Sequence, residues 1–337
     1  MVAMTTHAAA EPTRPGLTIA LRRAAKQATL APSVHNSQPW RFVLEPERLT
    51  LLADRSRRLN ALDPSGRQLV VSCGCALLNA RVSLAADGIT PDVVEFPEGV
   101  RSDTLAYLDV RTPRAGAADL AAFAPLIGLR QTNRRQFAEE AVGADIVATL
   151  CAAARAEQAG LFEIVRDDHR DVVAALTQQA DALQNADPAY RAEIRAWTTD
   201  DPQRRDGVPA LAVPHVDGTA EDEIPIRDFD TRGSGWLPAA THSTRRQCLL
   251  LLTAESDEPR AWLRAGQALE RVLLEVTRHG LVTSPLTQVV EQPATRAALR
   301  RELGMTGYPM VLLRVGRAAV TPGTLRRELA DVLVDRT

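Results

Sequence analysis

The 337-residue chain has few aromatic residues, four cysteines and almost no lysine, and its charges nearly cancel. Its formal net charge is −2, and Lys26 is its only lysine. The missing basic excess argues against a protein that binds nucleic acid or an anionic membrane surface. Because arginine supplies nearly all of the positive charge, any phosphate in a binding site would be held by guanidinium groups, which offer a fork of donors and do not titrate.

The cysteines do not form a recognisable metal or redox motif. Cys73 and Cys75 are separated by one residue in a predicted helix, where such neighbours point to different faces. Their spacing differs from the C-x-x-C of zinc and redox sites, so we expect small buried residues. The sequence also lacks the G-x-G-x-x-G, Walker, H-E-x-x-H and G-x-S-x-G patterns of several enzyme classes.

Targeting signals are missing as well. We find no apolar run close to the ~18 residues of a membrane helix. Residues 1–16 lack the basic and apolar segments of a signal peptide and are expected to form a disordered leader. A cytoplasmic protein is therefore expected.

The most informative stretch is residues 31–42, A-P-S-V-H-N-S-Q-P-W-R-F, which is polar and follows a predicted helix. Pro32 disfavours helix at the residue before it, so the helix should end there. Ser33, His35 and Asn36 then place donors and acceptors on irregular backbone, which suits recognition of a polar ligand. The alternative is a connector in which these side chains only satisfy nearby backbone groups.

The pattern of apolar residues predicts the order of helices and strands. Helices are expected at residues 17–30, 69–86, 146–159, 171–186, 262–278 and 295–303. Strands are expected at residues 40–44, 49–53, 91–96, 104–110, 161–166, 247–253 and 309–315. Gly88, Gly160 and Gly280 should end three of the helices. Residues 111–125 are interpreted as a linker, 281–291 as a loop, and the long irregular stretch 187–245 as a lid or arm.

Two of the predicted helices carry the same glycine pattern. Gly74-x-Ala76-Leu77 with Gly88 matches Gly266-x-Ala268-Leu269 with Gly280 at a constant offset. Each half of the chain keeps one polar motif and lacks the other. The loop at 31–42 belongs to the first half, and Arg130-x-Thr132-x-Arg134 belongs to the second. The sequence therefore predicts an α+β fold of two similar halves, residues 17–115 and 125–337.

The loop resembles a motif near the start of the nitroreductase superfamily, P-S-x-x-N-x-Q-P-W-x-F. The whole chain is similar to the Acg-type subgroup of single-chain, nitroreductase-like proteins, best known from mycobacteria. This resemblance implies a duplicated fold in one chain, a pseudo-dimer of mainly antiparallel sheets with packed helices. It also implies one FMN per chain at the junction of the halves, NAD(P)H as a possible reductant, and a nitro, quinone or other small molecule as electron acceptor.

The resemblance further implies which residues bind FMN. Arg130 is expected to hold the phosphate, Thr132 to reach the ribityl or phosphate oxygens, and Arg134 to lie near the pyrimidine edge. The remaining expected FMN contacts come from the first-half loop, the segment near flavin N5 and the C-terminal tail: Ser33, His35, Asn36, Pro285, Leu286, Thr287, Gln288, Arg326 and Arg327. Because the flavin itself transfers the hydride, no catalytic side chain is expected, and no metal.

The sequence departs from the family in one place that matters for turnover. Thr287 and Gln288 stand where the family motif P-I-E-G has Glu and Gly. This change, together with a lid that could close over the flavin, leaves a second function open, which is storage or sequestration of FMN with little turnover. A fold that has lost flavin is the third alternative. A monomer is expected because the fusion supplies the dimer interface, and a weak dimer stays open.

Overall fold

The computed structural model describes residues 14–115, 117–214, 224–230, 235 and 247–337. The helices are α1 (Arg14–Ala28), α2 (Arg67–Ala86), α3 (Ala118–Ala121), α4 (Ala144–Ala156), α5 (Asp167–Ala186), α6 (Pro188–Trp197), α7 (Pro259–Arg278), α8 (Gln288–Glu291), α9 (Pro293–Glu302) and α10 (Leu329–Val332). The strands are β1 (Trp40–Glu45), β2 (Arg48–Ala53), β3 (Ile89–Glu95), β4 (Thr104–Ala115), β5 (Gly160–Glu163), β6 (Thr198–Thr199), β7 (Val208–Pro209), β8 (Cys248–Ala254), β9 (Val282–Pro285), β10 (Tyr308–Gly316) and β11 (Leu333–Asp335).

Two larger sheets repeat one strand order. The first contains β1-β2-β4-β3 and the second β5-β8-β10-β9, so each runs first, second, fourth, third along the chain. All pairs within these two sets of four strands are antiparallel. The repeated order, with a helix between the second and third strands of each set, confirms the predicted α+β fold and its duplication.

The long helices α2 and α7 cross at the centre of the molecule. Each has 20 residues, and the glycine that follows, Gly88 or Gly280, has a φ of +76° or +66°. A Cβ added at Gly74 would lie 2.8 Å from the Cα of Gly266, and a Cβ added at Gly266 would lie 2.8 Å from the Cα of Gly74. Such a self-complementary contact is that of a twofold interface, here built inside one chain.

The C-terminal tail crosses from the second half to the first. Strand β11 pairs in parallel with β1 and aligns Leu333 with Phe42. The tail therefore joins the edge of the first sheet, and residues 324–327 lie beside the loop that precedes β1. The parallel pairing is an exchange of chain segments between the two halves.

Some predicted boundaries were wrong. The linker predicted at 111–125 begins as part of β4 and continues into α3, and the loop predicted at 281–291 contains β9 and α8. Gly160 belongs to β5, and Gln158 adopts the left-handed conformation near the end of α4, with a φ of +61°. Residues 14–16 of the predicted leader begin α1, whereas 1–13 lie outside the described residues.

The predicted lid is only partly irregular. Residues 215–223, 231–234 and 236–246 lie outside the described part, but Pro188–Trp197 forms α6. The Asp187 carboxylate accepts a hydrogen bond from the Ala189 N–H at 2.8 Å and caps this helix. Tyr190 and Ile194 recur at helical spacing and pack against Leu59 and Leu62, but this pattern is too short to have predicted the helix from the sequence.

Helix α2 also corrects the expectation about apolar runs. By length and composition it could cross a membrane, with a mean hydropathy of 1.7, yet 89% of the apolar stretch is buried inside the protein. It is the core helix of the first half. Cys73 and Cys75 are buried on it, and their thiols donate to different carbonyl groups, those of Pro39 and Gly266.

Candidate functional site

A cavity with two lobes lies where the halves meet. The wide lobe has a volume of about 110 Å³ and the smaller one about 50 Å³, and Pro32, Ser33, Thr132 and Arg134 line both. The rest of the wide lobe is lined mainly by the two central helices and by the segment 226–229: Gln68, Val71, Ser72, Cys75, Leu269, Leu273, Pro285, Thr287, Ile226, Arg227 and Phe229. The smaller lobe, called the arginine lobe below, is completed by residues that include Asn36, Arg130, Thr324 and Arg326.

The loop before β1 enters the cavity with a strained backbone. His35, Asn36 and Gln38 have φ values of +53°, +53° and +50°, a region that costs a non-glycine residue about 1–2 kcal/mol. Hydrogen bonds hold this conformation: the Ser33 Oγ accepts from the Gln38 N–H at 2.9 Å, and Asn36 Nδ2 donates to two carbonyl oxygens at 3.1 Å. Strain maintained by so many contacts is typical of a functional loop.

His35 is buried at the wall of the wide lobe. Its Nε2 lies 3.2 Å from the Arg227 guanidinium, which can only donate, so Nε2 must accept and the ring proton sits on Nδ1. Burial, with Arg227 and Arg134 nearby, holds the pKa of His35 well below its usual range. Nδ1 has no hydrogen-bond partner among the described residues. The cavity therefore presents a neutral imidazole with a free donor.

Arg227 anchors the segment 224–230 over the wide lobe. Its guanidinium is 2.5 Å from Glu291 Oε1 and also donates to the Tyr190 hydroxyl at 2.8 Å and the Thr287 hydroxyl at 3.0 Å. Burial by itself would lower the pKa of Arg227, but the Glu291 carboxylate outweighs it and raises that pKa. The buried ion pair joins the predicted lid to α8.

A second arginine faces the same lobe without an acidic partner among the described residues. The Arg134 guanidinium lies over the Phe229 ring, 4.8 Å from its centroid, and donates to the Ala212 carbonyl oxygen at 3.4 Å. Burial and the neighbouring Arg227 lower the pKa of Arg134 to about 10. An anionic or electron-rich group in the wide lobe would offset the free-energy cost of burying the Arg134 charge.

Two buried arginines form the smaller lobe. Arg130 and Arg326 both donate to the Leu30 carbonyl oxygen, at 3.2 and 3.4 Å. The Nε of each is buried and has no hydrogen-bond partner among the described residues, and Arg130 Nε is 3.5 Å from the Glu270 carboxylate. Burial and Arg130 lower the pKa of Arg326 to about 9, against the effect of Glu270. The lobe thus holds two desolvated cations with unused donors.

Not every residue predicted from the sequence reaches the cavity. The predicted residues that line the cavity are Ser33, His35, Asn36, Arg130, Thr132, Arg134, Pro285, Thr287 and Arg326. Leu286 instead packs in the apolar cluster of the second half, and Gln288 Nε2 donates to the Pro225 carbonyl oxygen at 3.2 Å. Arg327 faces the other way, with its NH1 3.7 Å from Asp54.

Several residues of the site were not predicted from the sequence. Arg227 and Phe229 lie in the irregular stretch, where no local pattern marks them. Gln68 and Glu270 did carry a signal, because each is a polar residue on the buried face of a long helix.

Comparison with known proteins adds the family. A scan against models of protein families finds no match. A Mycobacterium tuberculosis H37Rv protein named "Putative NAD(P)H nitroreductase Rv3131" is 36% identical over 337 residues, covering 98% of this chain and 94% of the relative. Another, "Putative NAD(P)H nitroreductase acg", is 32% identical over 318 residues, covering 93% of this chain and 94% of the relative.

Solved structures are more distant. A nitroreductase with bound FMN from Desulfitobacterium hafniense DCB-2 has a TM-score of 0.41 and 9% identity, and covers 62% of this chain and 96% of its own. One in complex with FMN from Desulfovibrio desulfuricans has a TM-score of 0.38 and 17% identity, and covers 64% and 96%.

The sequence similarity to the two mycobacterial proteins extends along nearly the full length of both partners. It confirms the predicted resemblance to the Acg-type subgroup. The chain belongs to the Acg-type family of single-chain, nitroreductase-like proteins.

Proposed function

We propose that the chain is an FMN-dependent oxidoreductase that passes two electrons from NAD(P)H to a small nitro- or quinone-type acceptor. The observation that carries the proposal is the pair of buried arginines at one end of a cavity built from both halves. Arg130 and Arg326 keep unused Nε donors there. The names of the two relatives support NAD(P)H as the reductant.

The residues present fit FMN. A phosphate dianion needs fixed positive charge and charge-assisted donors, which the arginine lobe offers. Ser33 and Thr132 line both lobes and suit the polar ribityl chain between them. The wide lobe has apolar walls from Val71, Leu269 and Leu273, as a flat aromatic ring system requires.

Bound FMN would supply the two-electron chemistry, and the protein would tune it. Arg134 places an uncompensated cation on the wide lobe, which stabilises negative charge that develops there. His35 offers a neutral Nδ1–H donor. Arg227 and Phe229 cover the lobe and limit the entry of water.

The test is a spectrum of the purified protein followed by anaerobic addition of NADPH or NADH. We expect flavin absorbance equal to one FMN per chain, which bleaches much faster than free FMN under the same conditions. Reoxidation by a nitro or quinone compound should restore it. Protein without flavin absorbance that also fails to bind added FMN would contradict the proposal.

A second candidate function is sequestration of FMN. The observation that favours it is the Arg227–Glu291 ion pair, which holds the segment 224–230 against the wide lobe. This function predicts tightly held flavin that NAD(P)H does not bleach. Slow bleaching that becomes fast in an Arg227→Met variant would show that the segment gates access and that the chemistry itself is intact.

We further propose that the chain binds a single flavin, because the equivalent groove on the other side is altered. Four positions of α2 and α7 that line the cavity have counterparts, at the constant offset, in a second groove. The residue pairs are Gln68 and Arg260, Ser72 and Arg264, Cys75 and Gln267, and Leu273 and Arg81.

Ion pairs occupy this second groove. Arg260 and Arg264 contact Glu95 at 3.2 and 2.8 Å, and Arg81 contacts Glu157 at 2.6 Å. Arginines paired with Glu95 and Glu157 thus replace Gln68, Ser72 and Leu273 of the cavity. The second groove is larger, with a volume of about 760 Å³, but carboxylates occupy these three guanidinium groups, which are therefore not free to bind a flavin phosphate.

Three further proposals concern the structural units, the oligomeric state and the location of the chain. We propose residues 17–115 and 125–337 as the two structural units, because the repeated strand order begins anew in the second. The α2–α7 contact inside one chain supports a monomer. A cytoplasmic location is proposed because NAD(P)H is available there.

Substitutions of the two neighbouring tail arginines should differ strongly in their effect on FMN affinity. Arg326→Gln is expected to weaken FMN binding about 10- to 150-fold, because a hydrogen bond to a charged group contributes about 1.5–3 kcal/mol. Arg327→Gln should change the affinity by less than about threefold, since Arg327 contacts Asp54 and not the cavity. Titration of apo-protein by flavin fluorescence measures both, and equal losses would contradict the assignment.

A further inference from the structure

Glu270 is a buried carboxylate behind the arginine lobe. It lies on α7, its side chain is fully buried, and its Oε1 is 3.5 Å from Arg130 Nε. Neither carboxylate oxygen has a hydrogen-bond partner within the described residues. The Asn79 side chain on α2, also fully buried, lacks one as well. So many unsatisfied polar atoms in one place require an explanation, because each is costly to bury.

The charges around Glu270 are few and can be named. Arg130 and Arg326 face it from the segments before α4 and before α10, and α2 contributes Asn79 and the Cys75 thiol. Burial raises the pKa of Glu270 to about 7, and the positive charges of Arg130 and Arg326 oppose that rise. Without a ligand, two cations thus share one carboxylate that titrates near neutrality.

We propose that Glu270 couples cofactor binding to a proton, so that the arginine lobe binds a phosphate dianion most tightly when this carboxylate is neutral. The inference rests on the proposed function, since it assigns Glu270 a role toward the FMN phosphate. The carboxylate and the phosphate compete for the same two guanidinium groups. Protonation of Glu270 releases Arg130 and Arg326 for the ligand.

The direction of the pH dependence follows from linkage. A bound dianion repels the Glu270 carboxylate and raises its pKa above the value of about 7 in the free protein. Between the two pKa values binding takes up a proton, so affinity falls as the pH rises, by at most about tenfold per pH unit. The second ionisation of the phosphate, near pH 6, acts in the opposite direction and favours binding as the pH rises.

The experiment measures FMN affinity of apo-protein by fluorescence titration from pH 6.5 to 9. We expect the dissociation constant of the native chain to rise by about tenfold or more between pH 7 and pH 9. Glu270→Gln should bind FMN more tightly than the native chain at pH 8 and show little change between pH 6.5 and pH 8, below the pKa of about 9 to which burial lowers Arg326. Riboflavin, which lacks the phosphate, should show a weak pH dependence in both proteins.

Glu275→Gln is the matched control. Glu275 is a buried carboxylate on the same helix, but it contacts Arg278 and His279 at 3.3 and 3.4 Å, away from the arginine lobe. This variant should keep the pH dependence of the native chain. A slope in Glu270→Gln equal to that of the native chain would overturn the inference.

Calorimetry keeps the test independent of any variant. FMN binding to the native chain at pH 8, measured in two buffers of different ionisation enthalpy, should show net proton uptake. Absence of uptake would overturn the inference even if Glu270→Gln fails to fold. Failure of the native chain to bind FMN at every pH would instead contradict the proposed function.

Discussion

We expect the free energy of unfolding of an Arg227→Met variant to be about 3–5 kcal/mol lower than that of the native chain. The fully buried Glu291 side chain would lose the guanidinium 2.5 Å from its Oε1. Among the described residues it would keep the Gln184 amide, which donates to Oε2 at 2.7 Å. An unpaired buried carboxylate is far more costly than a buried pair. Urea unfolding followed by tryptophan fluorescence measures the difference.

A double variant and a variant that removes a surface ion pair serve as controls for this test. Arg227→Met combined with Glu291→Gln should recover most of the lost stability, because no buried charge then remains. Arg166→Met removes an ion pair to Asp168 whose side chains are 65% and 60% exposed, and it should leave the stability nearly unchanged. If Arg227→Met resembled Arg166→Met, the ion pair would not anchor the segment 224–230.

A Gly266→Ala variant is also expected to lower the stability. The new Cβ would lie far inside contact distance of the Val71 carbonyl oxygen and 2.8 Å from the Cα of Gly74. Both obstacles are backbone atoms of α2, so the helices would have to separate. Overpacking of this kind costs about 1–3 kcal/mol and sometimes more, and we expect the upper end. Thermal unfolding followed by circular dichroism measures it.

The control is another glycine of ordinary conformation. A Cβ at Gly128 would meet no atom within 4 Å, so Gly128→Ala should change the stability by less than about 0.5 kcal/mol. Gly266→Ala should also weaken FMN binding, because the cavity is lined from both helices. A stable Gly266→Ala variant would mean that the crossing is looser than its geometry indicates.

The fold was predictable because its main signals are local and occur twice. Gly74 and Gly266 mark the contact of two helices of equal length, and a shared pattern at a constant offset identifies a duplication without a structure. The loop 31–42 was recognisable for a similar reason, since its polar residues are consecutive. The C-terminal exchange was not predicted, because a three-residue strand carries almost no periodic signal.

The rest of the site depends on contacts between distant segments. Arg227 pairs with Glu291, 64 residues away, and nothing near Arg227 distinguishes it from an exposed arginine. Arg326 and Arg327 are neighbours, and which of them faces the cavity depends on how the tail crosses the first half. Glu270 was open to prediction, since a carboxylate at an apolar helix position requires a partner.

The four altered positions in the second groove have a consequence for how this chain could evolve. In a homodimer one codon specifies the same residue at both sites, so a serine that admits a cofactor at one site would have to admit it at the other. Here Ser72 and Arg264 occupy equivalent places but are encoded separately. Because the halves are fused, a substitution in one groove leaves its counterpart unchanged, so the two grooves can diverge independently.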